Sequence, residues 1–136
     1  MSPADPSGAI AGARHVTAIF GEWPAFHDAE ICALDVTGRP DGFIVTVALH
    51  AFVRTAEIDE RGNYRLARHT RVTLRFSGCT DLRLDALDGH TTLFALHLTP
   101  GPSWTVVFES TSGPDGSLRC ERIEVVEAVP WPASST

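Results

Sequence analysis

Lysine and glutamine are absent from this 136-residue chain, so all eleven of its basic residues are arginines. So one-sided a choice fits biased genomic base composition better than a functional demand for guanidinium groups. Cysteine is scarce. Cys32, Cys79 and Cys120 are odd in number, widely spaced and set among apolar neighbours. That excludes a disulfide framework as the organising device and points to reduced, largely buried thiols in a cytoplasmic protein. No stretch approaches the roughly 18 to 20 apolar residues needed to span a bilayer. Met1 to Ala13 has neither the basic start nor the apolar run of a secretion signal. Ser77-Gly78-Cys79 lacks the G-x-S-x-G flanks of a nucleophile elbow, and no phosphate loop or metal-ligand spacing occurs. No catalytic, cofactor-binding or metal-ligating residue is therefore assigned.

What the chain has is enough apolar sequence for one core. A chain of this length buries roughly two-thirds of the surface its unfolded form exposes, so one domain without staples is expected. Pro3, Pro6, Gly8 and Gly12 mark residues 1–13 as a disordered leader, and Pro130-Trp131-Pro132 opens a nonhelical tail over 130–136. Between them, 14–129 reads as a single β-rich domain.

Val16, Ile19, Phe20 and Trp23 recur at helical spacing, and Gly21 and Pro24 end that helix near Phe20. From Glu30 the period alternates. Ile31 to Val36 predicts a first strand, and Phe43, Val45, Val47, Leu49 and Ala51 one face of a longer second strand, with Thr46, His50 and Arg54 on the wetter face. A hairpin loop over 59–63 leads into Tyr64 to Phe76, with Val72, Leu74 and Phe76 inward. A reversal is expected at Gly78 to Thr80, followed by a short strand with Leu82 and Leu84 inward. Further strands are expected over 91–99, 104–110 and 117–129, with turns at Leu87-Asp88-Gly89-His90, Pro100-Gly101-Pro102 and Ser112 to Gly116. The fold class is mainly β: an antiparallel meander forming a curved sheet, half-barrel or sandwich, with one short N-terminal helix.

Chemistry-bearing residues are densest in Phe20-Gly21-Glu22-Trp23-Pro24-Ala25-Phe26-His27-Asp28-Ala29-Glu30-Ile31. His27, Asp28 and Glu30 are common metal or acid-base residue types. In a strand, however, His27 and Asp28 point to opposite faces, and in a helix only His27 and Glu30, three apart, would share a face, which leaves at most two of the three together. The plain structural reading is a plug at the start of the first strand. Trp23 and Phe26 bury aromatic area, Pro24 fixes an extended approach, and Asp28 accepts hydrogen bonds from backbone amides. The six histidines, His15, His27, His50, His69, His90 and His97, are scattered singly and read as surface or sheet-face residues.

Eleven basic against seventeen acidic residues give a net charge of −6. The sign favours a basic partner over nucleic acid. Residues 54–75 depart from it, with six arginines against Glu57, Asp59 and Glu60, a local +3. Its reading is a solvated face with cross-strand ion pairs; separately, Arg75 and Arg83 are expected near opposite charges across neighbouring strands.

The opening FGEWPAFHDAEI, together with Val72-Thr73-Leu74-Arg75-Phe76-Ser77-Gly78-Cys79-Thr80-Asp81-Leu82-Arg83-Leu84, resembles the immunity protein 50 family, over roughly residues 16 to 127. That resemblance implies a protein that neutralises a cognate bacterial toxin by binding it, without catalysis. Trp23, Phe26, Asp28 and Glu30 are the candidate contacts to such a toxin. Two other classes compete: a small-ligand binding β-domain, with His50 and His97 as polar anchors, and a structural or regulatory domain without activity.

Overall fold

The change of period at Glu30 is where the sheet begins. In a computed structural model describing residues 6–58, 60–62, 64–84, 91–111 and 115–130, a helix α1 (Arg14–Phe20) precedes seven strands. These are β1 (Glu30–Arg39), β2 (Gly42–Ile58), β3 (Tyr64–Arg83), β4 (Leu93–Thr99), β5 (Trp104–Ser110), β6 (Gly116–Cys120) and β7 (Arg122–Pro130). All strand pairs are antiparallel, and the order is β1-β2-β3-β6-β5-β4, with β7 also on β3. The expected class, a mainly β antiparallel curved sheet with one short helix, is the one found. α1 ends where Gly21 donates its amide to the Thr17 carbonyl at 2.8 Å, and Val16 buries its inner face completely.

β3 is the spine. Its first three-quarters pairs with β2 on one side and β7 on the other, and its last residues pair with β6. The reversal expected at Gly78 to Thr80 is a bend inside one strand. Gly78 and Asp81 take positive φ of 65° and 53°, which kinks the strand without ending its ladder. Opposite the kink, Glu121 interrupts what was expected as one strand over 117–129, giving β6 and β7, and its amide donates to the Ser77 carbonyl at 3.0 Å. β3 bends and the β6–β7 run breaks at one level, where the sheet turns to carry β6, β5 and β4 around the core.

The period-2 faces meet inside. Val45, Val47, Leu49, Val72, Leu74 and Phe76 are fully buried, as are Val106 and Phe108 from the other arm. Phe76 and Phe108 touch edge to face, 6.1 Å between centroids. Burying one such side chain contributes roughly 1.5 to 3 kcal/mol. Phe43, expected on this face, is exposed: a register shift between Phe43 and Val45 takes it out of phase. Arg75 meets Glu124 directly across the β3–β7 ladder at 3.3 Å, the cross-strand ion pair expected of this face.

Part of the expected leader is docked. Ile10 and Ala13 are buried, and Ala11 bridges β7 through bonds between its amide and the Ile123 carbonyl and between the Val125 amide and its own carbonyl. Two apolar contacts and two backbone bonds outweigh the local proline and glycine signal. Residues 1–5, Asp59, Asn63, 85–90 with the Leu87–His90 turn, 112–114 and the tail 131–136 lie outside the described residues. None of the described helices is long and apolar enough to cross a membrane.

Two glycines separate conformational strain from collision. At Gly12 (φ 75°) an added Cβ would lie 2.8 Å from the Val125 carbonyl oxygen, which belongs to a paired strand. At Gly78 it would meet Glu121 Oε2 at 2.9 Å, which can swing aside, and Glu121 Cβ at 3.1 Å, which needs only a few tenths of an ångström of give. Positive φ alone costs a residue with a Cβ roughly 1 to 2 kcal/mol. Gly78→Ala is therefore expected to lose about that much in urea denaturation, and Gly12→Ala measurably more. Phe108→Ala should lose about 3 to 5 kcal/mol by the same measurement.

Candidate functional site

Pro24 has no amide hydrogen and disfavours helix at Trp23, so the chain leaves α1 extended and arrives at the edge of β4. There it hydrogen bonds like an extra strand. The Asp28 amide donates to the Leu93 carbonyl at 2.8 Å, the Leu93 amide to Ala29 at 2.8 Å, the Ile31 amide to Thr91 at 2.8 Å and the Leu96 amide to Ala25 at 2.9 Å. Glu30 and Thr92 form a bridge within this run. The first and last strands of the sheet order are thereby tied together. Phe26 and Asp28 adopt positive φ of 59° and 64° to make the connection, a conformation that persists only where surroundings over-determine it. Burial of Phe26 (3% exposed), Ala29 and Ile31 provides that constraint.

Between this strap, the end of α1 and β2 lies an open cleft of about 320 Å³. Its walls are Phe20, Glu22, Pro24, Ala25, Phe26, His27 and Ala29 from the strap side, and Ala51, Phe52 and Val53 from β2. The volume is at the low end of ligand pockets, which run to roughly 1,000 Å³. Apolar side chains dominate it; among the described lining residues Glu22 carries the one formal charge. The His27 ring is held at its rim. Nδ1 lies 2.8 Å from the Phe94 carbonyl oxygen, which only accepts, so Nδ1 carries the proton. Nε2 lies 3.4 Å from Asp28 Oδ2, and the ring stands edge to face against Phe94.

The four residues expected to meet a partner are divided by this arrangement. Glu30 is exposed, and Asp28 and Trp23 are half-buried. Phe26 is core: it stacks edge to face under Trp23 at 5.7 Å and presents almost no surface outside the cleft. Its place in the expected contact set is corrected on that ground. The Asp28 amide donates to the Leu93 carbonyl, and its carboxylate lies 3.4 Å from His27 Nε2.

Phe52 was not singled out from the sequence, although an aromatic in phase with His50 on the wetter face of β2 is a signal of a lined surface. The histidines read as single are partly paired. His50 Nε2 lies 3.0 Å from His69 Nδ1, with Phe52 against both rings. His97, the other proposed anchor, instead bonds Glu109 at 2.7 Å. Among the described residues no group of three or more His, Cys, Asp or Glu is placed to hold a metal ion. All three cysteines are free thiols. A hydrogen bond with Cys79 and burial hold Cys120 protonated, well above the usual thiol range, and burial and Glu30 raise Cys32. The arrangement offers shape, apolar surface and one carboxylate, which are means of binding. Compared with family models, curated proteins and solved structures, the chain matches none.

The His50–His69 contact makes stability depend on pH. Burial first, and the His69 ring second, lower the His50 pKa from its ordinary 6.5, against an upward pull from Glu30. The unfolded chain therefore takes up a proton at His50 before the folded one does. Stability is full above pH 6.5 and falls as pH drops from there through the folded-state value. Urea titrations at pH 7.5 and 5.5 should show the loss, and His50→Gln should flatten it.

Proposed function

We propose that the chain is an immunity protein, acting in the cytoplasm by binding a cognate bacterial toxin and covering its active or substrate-binding surface. The observation that carries this reading is the coincidence of motif and cleft: the segment Phe20 to Ile31, on which the resemblance rests, supplies seven of the ten residues lining the cleft. A motif used only to plug the core would bury its side chains and leave no concavity. Three acids, Glu22, Asp28 and Glu30, belong to the same segment, and the whole chain is at −6. A basic toxin surface is the complementary partner. Charge of this kind accelerates encounter, while desolvated apolar contacts hold the complex. No step of bond making is required of this chain.

A small-ligand reading is favoured by one observation, the apolar predominance of a cleft with pocket-like volume. A small molecule retained through purification and seen in the native mass spectrum, then lost from Phe52→Trp, would establish it. The immunity reading is tested by coexpression with the toxic product of the adjacent gene. Growth rescue and a stoichiometric complex on gel filtration are expected; absence of both removes the reading for that pair. With the complex in hand, Asp28→Asn with Glu30→Gln should lower the association rate severalfold at low salt and leave dissociation nearly unchanged. An unchanged association rate in the folded double variant would exclude these acids from the interface.

A further inference from the structure

The geometry points to a specific occupant for the cleft: one long basic side chain, an arginine or lysine projected from the surface of a protein partner. This deepens the binding reading above and rests on it for the identity of the partner, although the chemistry of the cleft stands on its own residues. Two half-buried phenylalanines, Phe20 and Phe52, line a space open at one side, with the buried Phe26 beneath them. Aromatic faces carry negative quadrupole density and attract ammonium and guanidinium groups within about 6 Å of the ring centre. Glu22, the one formally charged group among the described lining residues, is exposed at the same cleft, in the loop that follows α1. A carboxylate accepts two parallel hydrogen bonds from a guanidinium, or one charge-assisted bond from an ammonium.

His27 adds no free anion-binding donor from its Nδ1, which is committed to the Phe94 carbonyl, while Nε2 faces the Asp28 carboxylate at 3.4 Å. An anionic ligand would meet the Glu22 carboxylate at the lining, with that of Asp28 beside the rim. A purely apolar one would fill the shape and gain nothing from Glu22. A basic side chain satisfies both halves of the lining, its methylene stem lying on Pro24, Ala51 and Val53 while its head meets Glu22. Arg68, next to the end of α1, is not among the lining residues. Its guanidinium is bonded to the Ile19 carbonyl at the helix end.

The test uses the full chain, isotope-labelled, titrated by NMR at low salt with three capped tripeptides: Gly-Arg-Gly, Gly-norleucine-Gly and Gly-Glu-Gly. The arginine peptide should bind most tightly, with shifts concentrated over residues 20–29 and 51–53. Glu22→Gln should weaken it roughly twofold to fivefold, the range for an exposed carboxylate. Phe52→Ala should weaken it by a similar factor, the range for an exposed cation–aromatic contact. Raising the salt should weaken the arginine peptide and leave the norleucine peptide unmoved. Norleucine binding as tightly as arginine overturns the proposal, as do an unaffected Glu22→Gln or shifts centred elsewhere. Glu22→Gln replaces an exposed side chain, so the test does not depend on the fate of Phe52→Ala. Peptide selectivity without toxin rescue leaves the cleft assignment standing and removes the immunity reading. Rescue by a chain that shows no arginine selectivity does the reverse.

Discussion

Four backbone hydrogen bonds between residues 25–31 and the region 91–96 hold together the two ends of the strand order. Without them β4 would be a bare edge and β1 a long exposed ribbon, each a template for another chain. With them, the inward faces of β2 and β3 are set against those of β5 and β6, and the Phe76–Phe108 contact closes at the centre. The strap is made from residues of poor strand propensity, including a proline and two non-glycine residues at positive φ. Its stability is therefore borrowed from tertiary packing. Phe26, Ala29 and Ile31 are buried because the strap crosses the open end of the sheet, and the strap holds its course because they are buried.

This mutual dependence also makes the cleft. A regular strand added at β4 would have lain flat against the sheet and left no concavity. Instead, α1 and the Trp23–Pro24 step hold the start of the segment away from β2, and the space between is lined from both sides. Phe52 sits where the β2–β3 register shifts between Ala51 and Val53, so three consecutive β2 residues reach one surface. Two irregularities, a strap with positive φ and a bulged strand, thus face each other across the cleft. Local rules broken at one place in the fold are where a binding surface is commonly found.

Periodicity made much of this visible in advance. The inward residues of β2, β3 and β5 were legible because each strand has one dry face, and a two-residue period admits little ambiguity there. The end of α1 was legible from Gly21 and Pro24. Gly78 misled because glycine signals both a turn and a kink, and only the pairing of Glu121 with Ser77 distinguishes them. Residues 10–13 misled because composition is local while their docking on β7 is not. At the site, the segment Phe20 to Ile31 was recognisable as special, yet its division into a buried ring, a half-buried pair and an exposed acid depended on hydrogen bonds to a strand sixty residues away. The His50–His69 contact was illegible for the same reason, since nineteen residues and a bulge separate the two.

The placement of charge relative to apolar surface sets what kind of binding this face could perform under the proposed reading. Glu22, Asp28 and Glu30 remain in contact with water, where an ion pair is worth about 1 kcal/mol or less and is screened by salt. Phe20, Phe26 and Phe52 lie where water is excluded once the cleft is filled. On the proposed binding reading, the acids would govern how often a partner arrives, and the aromatic lining how long it stays. A surface built this way tolerates variation among its acids, since no single one is desolvated, but not the filling of its cleft. On that reading specificity would reside in the shape of the cleft between Phe20 and Phe52, and the backbone bonds to β4 that fix the fold would fix the proposed recognition surface as well.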